Sequence, residues 1–128
     1  MKLDLYVYKA TVVKVYDAST ITVLIDLGLN TYKKETIILE NIKAPEINSE
    51  EGVAGRISRD ALRAKILDKE IILRTKRDKT GIFTYLGTVF LADEAYLTKT
   101  NGEESIDIEH ININDWLVEN KYAEHKEY

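Results

Sequence analysis

The segment LENIKAPEIN, residues 39–48, contains the residues whose types and order most directly suggest chemistry. An apolar run ends in it, an Ala-Pro-Glu turn follows, and Pro45 and Glu46 are typical of the rim of an active site. A site for a hard divalent cation at this turn would require carboxylates, because such cations prefer oxygen ligands. Lys43 stands just before the turn instead, so the segment raises the question of what a lysine does in that place.

A basic stretch at residues 56–79 is a second candidate, because its side chains could contact phosphate groups. It holds nine Lys and Arg against four Asp and Glu, whereas residues 93–128 hold three against ten. The candidate nucleic-acid contacts within it are Arg56, Arg59, Arg63, Arg74, Lys76, Arg77 and Lys79. The net charge of the chain is −4, so a well-solvated helix and an acidic tail would explain the same pattern, and both interpretations stay open.

Tyrosines within the predicted strands could add base stacking to such contacts. The candidates are Tyr8, Tyr16, Tyr32 and Tyr85. A tyrosine on a strand more often serves ordinary sheet packing, so these residues indicate a binding surface only together with the basic side chains.

Length and composition limit the classes of protein to which the chain can belong. Its 128 residues predict one domain, 1–128, with its own core. The absence of cysteine excludes disulfides and thiolate metal sites, and the two histidines, His110 and His125, both lie near the C-terminus. No run of about 18 apolar residues could span a membrane, so we expect no membrane partner and a cytoplasmic location. The composition does not indicate an oligomeric state.

Segments rich in Val, Ile, Thr and Tyr predict five strands, and Gly28 with Asn30 predicts a turn between the second and the third. The strands are expected at residues 8–16, 20–28, 35–42, 69–76 and 85–92. In the second strand Ile21, Val23 and Ile25 alternate with more polar neighbours, which predicts one buried face.

Two segments with helical periodicity complete the predicted elements. The first, at residues 52–67, is expected to bury one apolar stripe. That stripe consists of Val53, Ile57, Ala61, Ala64 and Leu67. The second, at residues 112–123, is expected to pack Trp116, Leu117 and Tyr122 on the core, with Asn112 or Asn114 as its cap. Five strands with helices in this order fit a five-stranded barrel of the oligonucleotide-binding type, the OB-fold.

The order of six segments resembles the staphylococcal nuclease (thermonuclease-like) family. The segments are VVKVYDASTITV, TIILENIKAPEI, GRISRDALRAKIL, KEIILRTKRDKTG, YLGTVFL and NINDWLVENKYA, and they span about residues 8–123. Each segment alone is weakly specific, whereas their joint order and spacing are specific. The resemblance implies a five-stranded OB-fold barrel with two to three helices, and an ancestral calcium-dependent hydrolysis of DNA and RNA phosphodiesters.

The resemblance also implies site residues, and the chain departs from the family in its first site segment. The Asp-Gly-Asp-Thr turn of the family is here Asp17, Ala18, Ser19 and Thr20, so Ser19 stands at the position of a metal-binding aspartate. A neutral hydroxyl is a much weaker calcium ligand than a carboxylate. Asp17 is retained, but it matches the other aspartate of that motif.

Further departures surround Pro45. Ile38 stands where the family has an arginine seven residues before the proline, and Lys43 stands where it has a metal-binding aspartate two residues before. Ala44 offers only a backbone carbonyl, whereas Glu46 matches the catalytic glutamate of the family. The second arginine of the family also has no basic counterpart among residues 82–84.

With two carboxylate ligands and two arginines replaced, we expect the calcium site to be lost, no cofactor to be bound, and Glu46 to be vestigial. The sequence then indicates a catalytically impaired nuclease-like domain that binds nucleic acid, weakly and electrostatically, or a protein partner. The alternative is an active metal-dependent DNA or RNA phosphodiesterase with a rearranged site. On the first interpretation the Lys43 ammonium replaces the cation and offsets Asp17 and Glu46.

Overall fold

A computed structural model describes residues 6–45, 52–77, 85–92 and 110–126, which form eight strands and two helices. In chain order these are β1 (Val7–Asp17), β2 (Thr20–Asp26), β3 (Tyr32–Leu39), β4 (Ile42–Lys43), α1 (Gly52–Ile66), β5 (Glu70–Arg77), β6 (Tyr85–Ala92), β7 (His110–Asn112), α2 (Ile113–Glu119) and β8 (Glu124–His125). Neither helix of this part of the chain is long and apolar enough to cross a membrane.

Five of the strands close into a barrel. Their order is β3-β2-β1-β5-β6 with antiparallel neighbours, and a parallel pairing of β3 with β6 closes the ring. Strand β7 pairs with the last residues of β6, and β4 pairs with β8 in a separate two-stranded sheet. This arrangement confirms the predicted OB-fold barrel with helices packed on it.

Strict alternation of side chains builds the barrel interior. In β2 Ile21, Val23 and Ile25 are buried, and the residues between them face outward, as the sequence pattern predicts. The turn after β2 also forms where it was predicted, with Gly28 and Asn30 at positive φ of 81° and 60°.

The strand predicted at residues 35–42 is two elements rather than one. Strand β3 begins earlier, at Tyr32, and ends at Leu39. Asn41 has a φ of 62°, a left-handed conformation that interrupts a strand, so β4 begins only at Ile42. The sequence also predicts a hairpin turn or loop at residues 98–106, with Asn101 and Gly102 at its tip, and this segment lies outside the described residues.

Helix α1 forms where predicted, but the predicted buried face is wrong. Val53 and Ile57 are 65% and 58% exposed. The buried residues are instead Gly52, Gly55, Ser58, Leu62 and Ile66. The small residues in the first two turns let the helix pack closely on the rest of the domain. The Ser58 hydroxyl also donates a hydrogen bond to the Tyr122 carbonyl at 2.8 Å. These contacts rotate the helix away from the orientation that apolar side chains alone would favour.

Helix α2 is attached to the barrel by two asparagines with different roles. Asn112 is the cap, because its Oδ1 accepts from the Asp115 N–H at 3.1 Å. Asn114 is buried, and its Oδ1 accepts from the Val89 N–H at 3.1 Å. Its Nδ2 donates to the Glu40 and Gly87 carbonyls, both at 3.0 Å. Leu117 is fully buried below them, and Trp116 and Tyr122 pack against the core as predicted.

Candidate functional site

The turn between β1 and β2 holds the first group of predicted site residues. The Ser19 N–H and hydroxyl both donate to Asp17 Oδ1, at 2.8 and 2.9 Å. Asp17 pairs with Thr20 across the hairpin, and Ala18 is fully buried between them. A short polar side chain that bonds its own backbone two residues on stabilises a tight turn. Asp17 and Ser19 therefore have a structural role in this turn.

Strand β3 brings Ile38 to the same place. Thr20 pairs with Ile38, and the Leu39 N–H donates to the Ser19 carbonyl at 2.8 Å. The structure thus brings Asp17, Ser19, Thr20 and Ile38 together, as the resemblance implies. Ile38 offers no charge to a phosphate at this position.

Lys43 and Ala44 lie at a second place, against the C-terminal segment. Lys43 is exposed and pairs with Glu124 across the β4–β8 sheet, whereas Ala44 is buried. No ion pair within 4.0 Å joins Lys43 to Asp17 or to any other described residue. The residue in register with Lys43 on the neighbouring strand is therefore acidic, which gives part of the answer to the question that Lys43 raises.

The predicted catalytic residue Glu46 lies outside the described residues. Within the ranges 6–45, 52–77, 85–92 and 110–126, no group of three or more His, Asp or Glu side chains is arranged to hold a metal ion. The loss of the calcium site therefore stays a prediction, since it depends on how Glu46 stands relative to Asp17.

The arginines of α1 are largely occupied by local contacts. Asp60 pairs with Arg59 at 3.1 Å and with Arg63 at 3.7 Å. Arg63 also donates to the Val15 carbonyl at 3.1 Å, which ties the helix to the end of β1. Arg56 is exposed and has no ion pair with a described residue.

The basic residues of β5 have a different environment. Arg74 lies 5.5 Å from the centre of the Phe90 ring, and it lines a cavity of about 340 Å³ together with Glu40, Asp115 and Glu119. Lys76 is exposed. The Arg77 side chain and Lys79 are not among the described parts of the chain. Three carboxylates line the same cavity as Arg74, and their negative charge reduces the attraction of this cavity for a phosphate.

Sequence reasoning missed two lysines on the outer face of strands β1 to β3. Lys14 of β1 pairs with Thr22 of β2, and Thr22 pairs with Thr36 of β3, so the three form one row across the strands. Two pairs further along, on the same face, Leu24 of β2 pairs with Lys34 of β3. We call these outward side chains, Lys14, Thr22, Lys34 and Thr36, the outer sheet face. The period of two that places Ile37 and Leu39 inward also places Lys34 and Thr36 outward, and this is the signal that could have identified the β3 residues.

An open depression of about 680 Å³ lies on the outer sheet face. Lys14 and Lys34 are both exposed, and neither has an ion pair with a described residue. Lys33 differs from them, because its ammonium contacts Glu35 at 3.0 Å. The hydrogen bond to Glu35, together with the charge of that carboxylate, raises the pKa of Lys33. Glu35 also lines the depression, and its ion pair with Lys33 offsets its charge, so Lys14 and Lys34 give the depression its excess positive charge.

Two of the four candidate tyrosines flank the outer sheet face, and their role in stacking stays a prediction. Strand alternation places Tyr16 on the side of Lys14 and Tyr32 on the side of Lys34, and their exposed fractions are 45% and 57%. Tyr8 is half-buried and packs against the core, and Tyr85 is 37% exposed at the start of β6. Lysines, hydroxyl groups and aromatic rings on one open face can contact a nucleic-acid strand chemically.

Comparison with known proteins does not assign the chain to a family. No protein-family model and no curated protein sequence matches the chain. The nuclease-like assignment therefore depends on the residues and motifs of the sequence itself.

Proposed function

We propose that this protein binds single-stranded nucleic acid on the outer sheet face and does not cleave it. The observation that carries the proposal is the row of Lys14, Thr22 and Thr36 beside Lys34, all facing one open depression. Ammonium groups neutralise phosphates, and threonine hydroxyls can donate to phosphate or sugar oxygens. Tyr16 and Tyr32 supply exposed rings for stacking, which tolerates any base sequence.

The surroundings of the Asp17 turn support the absence of cleavage. Asp17 Oδ1 accepts two hydrogen bonds from Ser19, and the neighbouring Ile38 is apolar. A nuclease site of the family requires arginines near the scissile phosphate, and each such donor typically accelerates the reaction about 10²–10³-fold. Glu46 without these partners would retain little of that rate.

Binding should weaken when the charges of the outer sheet face are reversed. The double variant Lys14→Glu/Lys34→Glu is expected to bind labelled single-stranded oligonucleotides at least about tenfold more weakly, measured by fluorescence anisotropy. For the parent protein, two phosphate contacts predict a roughly sevenfold loss of affinity between about 50 and about 200 mM salt.

A matched control separates this face from the basic stretch of the sequence. Arg56→Glu/Lys76→Glu changes the net charge equally, but at residues outside the outer sheet face. A larger loss of oligonucleotide affinity in this control variant would indicate that the binding site lies on α1 and β5. Affinity that does not change with salt would contradict an electrostatic mechanism altogether.

Calcium should neither stabilise the protein nor activate cleavage. We expect no calcium-dependent shift in melting temperature, because Ser19 and Lys43 replace two carboxylates of the implied site. Cleavage of plasmid and single-stranded substrates should stay at background with calcium, magnesium or manganese. Metal-dependent cleavage that disappears in Glu46→Gln would instead establish the rearranged phosphodiesterase.

A protein partner is the second candidate, and one specific observation favours it. Large apolar side chains are exposed at the barrel end that contains the β2–β3 turn. They are Tyr6, Val7, Leu27, Leu29 and Tyr32. Leu29 is fully exposed at a φ of 55°, an unusual conformation for leucine. No oligonucleotide binding at low salt, together with a stoichiometric co-purifying protein lost in Leu29→Ser, would favour this candidate.

A further inference from the structure

A cavity of about 320 Å³ lies between β4, the first turn of α1 and the segment that joins α2 to β8. We call it the β4–β8 cavity. Its lining residues are Lys43, Ala44, Pro45, Ala54, Lys121, Tyr122, Ala123 and Glu124. Five of these eight residues are alanine, proline or tyrosine, and the other three are the charged residues Lys43, Lys121 and Glu124.

Contacts on several sides fix the wall of the cavity. Ile42 pairs with His125 and Lys43 with Glu124 across the small sheet. The Ser58 hydroxyl donates to the Tyr122 carbonyl at 2.8 Å, which attaches α1 to the far wall. The Lys126 N–H donates to the Asn41 carbonyl at 2.8 Å beyond the sheet. The shape is therefore determined by the fold.

Lys121 occupies a backbone position that favours glycine. It follows the C-terminus of α2 with a φ of 63°, where the Lys121 N–H donates to Val118 and the Tyr122 N–H donates to Leu117. Helix ends of this kind usually place glycine there, because a side chain is strained in the left-handed region. A residue in this strained conformation that also lines a cavity is a reason to examine its side chain for a function.

We propose that the β4–β8 cavity binds a phosphate monoester through the ammonium groups of Lys43 and Lys121. Neither lysine has an ion pair with a described residue, and among the described residues that line the cavity two ammonium groups exceed the one carboxylate, Glu124, by one charge. Lysine binds phosphate as a point charge, and a dianion is attracted more strongly than a monoanionic phosphodiester. Lys43 then acts as an anion ligand at the place where the resemblance implies a cation ligand.

The identity of the phosphate-bearing molecule depends on the proposed function. If a nucleic-acid strand lies on the outer sheet face, the group with this chemistry is its terminal phosphate. Free inorganic phosphate carries the same charge and oxygens, so it probes the cavity independently of any strand. The two sources are distinguished by comparing oligonucleotides with and without a terminal phosphate.

Titration with inorganic phosphate, followed by amide NMR shifts, tests the cavity itself. The parent protein should show saturable shifts at Lys43, Ala44 and Ala123. Lys43→Gln and Lys121→Gly should each weaken binding by roughly fivefold, and the double variant should lose the response. Lys69→Gln, an exposed lysine elsewhere, should leave it unchanged.

Lys121→Gly also separates binding from stability. Glycine relieves the left-handed strain, so this variant should melt at a higher temperature than the parent while binding phosphate more weakly. Absent or unsaturable shifts in the parent, or equal affinity in the parent and both single variants, would overturn the proposal.

Oligonucleotides complete the test. A terminal phosphate should strengthen binding to the parent and have no effect in Lys43→Gln/Lys121→Gly. If a terminal phosphate does not increase oligonucleotide affinity while inorganic phosphate still binds, the cavity is a site for free phosphate. If the proposed function is wrong, the protein will not bind oligonucleotides but will still respond to inorganic phosphate.

Discussion

Replacing Asn114 with alanine is expected to lower the free energy of unfolding by about 3–5 kcal/mol, because one buried side chain makes three hydrogen bonds. The Val89 N–H would lose its acceptor, and the Glu40 and Gly87 carbonyls would lose their donor. Asn114 is only 4% exposed, so water does not readily replace these bonds. A buried donor without a partner is the most costly of the three losses.

Asn112→Ala is the matched control, two residues earlier in the same segment. It removes only the helix cap, so we expect a loss of about 1 kcal/mol. Urea unfolding can be followed by the fluorescence of Trp116, the single tryptophan, which is half-buried on α2. Equal losses in the two variants would show that Asn114 acts through the helix rather than through the barrel.

Asn114 connects the stability of the barrel to the position of Lys43. Its amide contacts the carbonyl of Glu40, and the Glu40 side chain accepts from the Thr88 hydroxyl at 2.7 Å. These bonds hold the turn that separates β3 from β4, two residues before the small sheet begins. The same asparagine therefore supports the wall of the β4–β8 cavity.

The sequence predicts the strands of this fold better than its helix faces, for a physical reason. Strand β6 forms at the predicted residues 85–92, because a strand needs only alternating β-branched and aromatic residues between turn residues. Which face of α1 is buried depends instead on how closely the helix can pack on the rest of the domain. Gly52, Gly55 and Ser58 are not apolar by composition, so a hydrophobic pattern does not identify them as buried.

Only part of the grouping of the candidate site was predictable: strand pairing joins four of its residues, whereas Lys43 and Ala44 lie against the C-terminal segment. Asp17, Ser19, Thr20 and Ile38 come together, since a two-residue hairpin turn and antiparallel pairing fix their neighbours. The lysines of the outer sheet face were missed because Lys14 and Lys34 are 20 residues apart in sequence and meet only through strand register. Asn112 and Asn114 were both candidate caps, and the buried role of Asn114 was missed because its long-range partners leave no local pattern.

Gly87→Ala is expected to lower the free energy of unfolding by about 1–3 kcal/mol, because the added carbon has no room. Gly87 pairs with Leu39 of β3 and Thr75 of β5, where the barrel closes. A Cβ at this residue would lie 2.6 Å from Ile37 Cγ2 and 3.0 Å from Leu73 Cδ1. Both neighbours are fully buried, and a β-branched side chain such as Ile37 is stiff, so relief would require movement of β3 itself.

A second change tests whether this contact is the cause. Ile37→Leu removes the Cγ2 methyl while keeping the side-chain volume, and alone it should cost less than about 1.5 kcal/mol. Combined with Gly87→Ala, the total loss in urea unfolding should be smaller than the sum by at least about 0.5 kcal/mol. Gly28→Ala is the control, because its φ of 81° strains the backbone while no atom lies within 4 Å of the added carbon. The loss of unfolding free energy caused by Gly28→Ala should simply add to the loss caused by Ile37→Leu. Additive losses for Gly87→Ala with Ile37→Leu would show that the barrel closes without the close approach that the glycine permits.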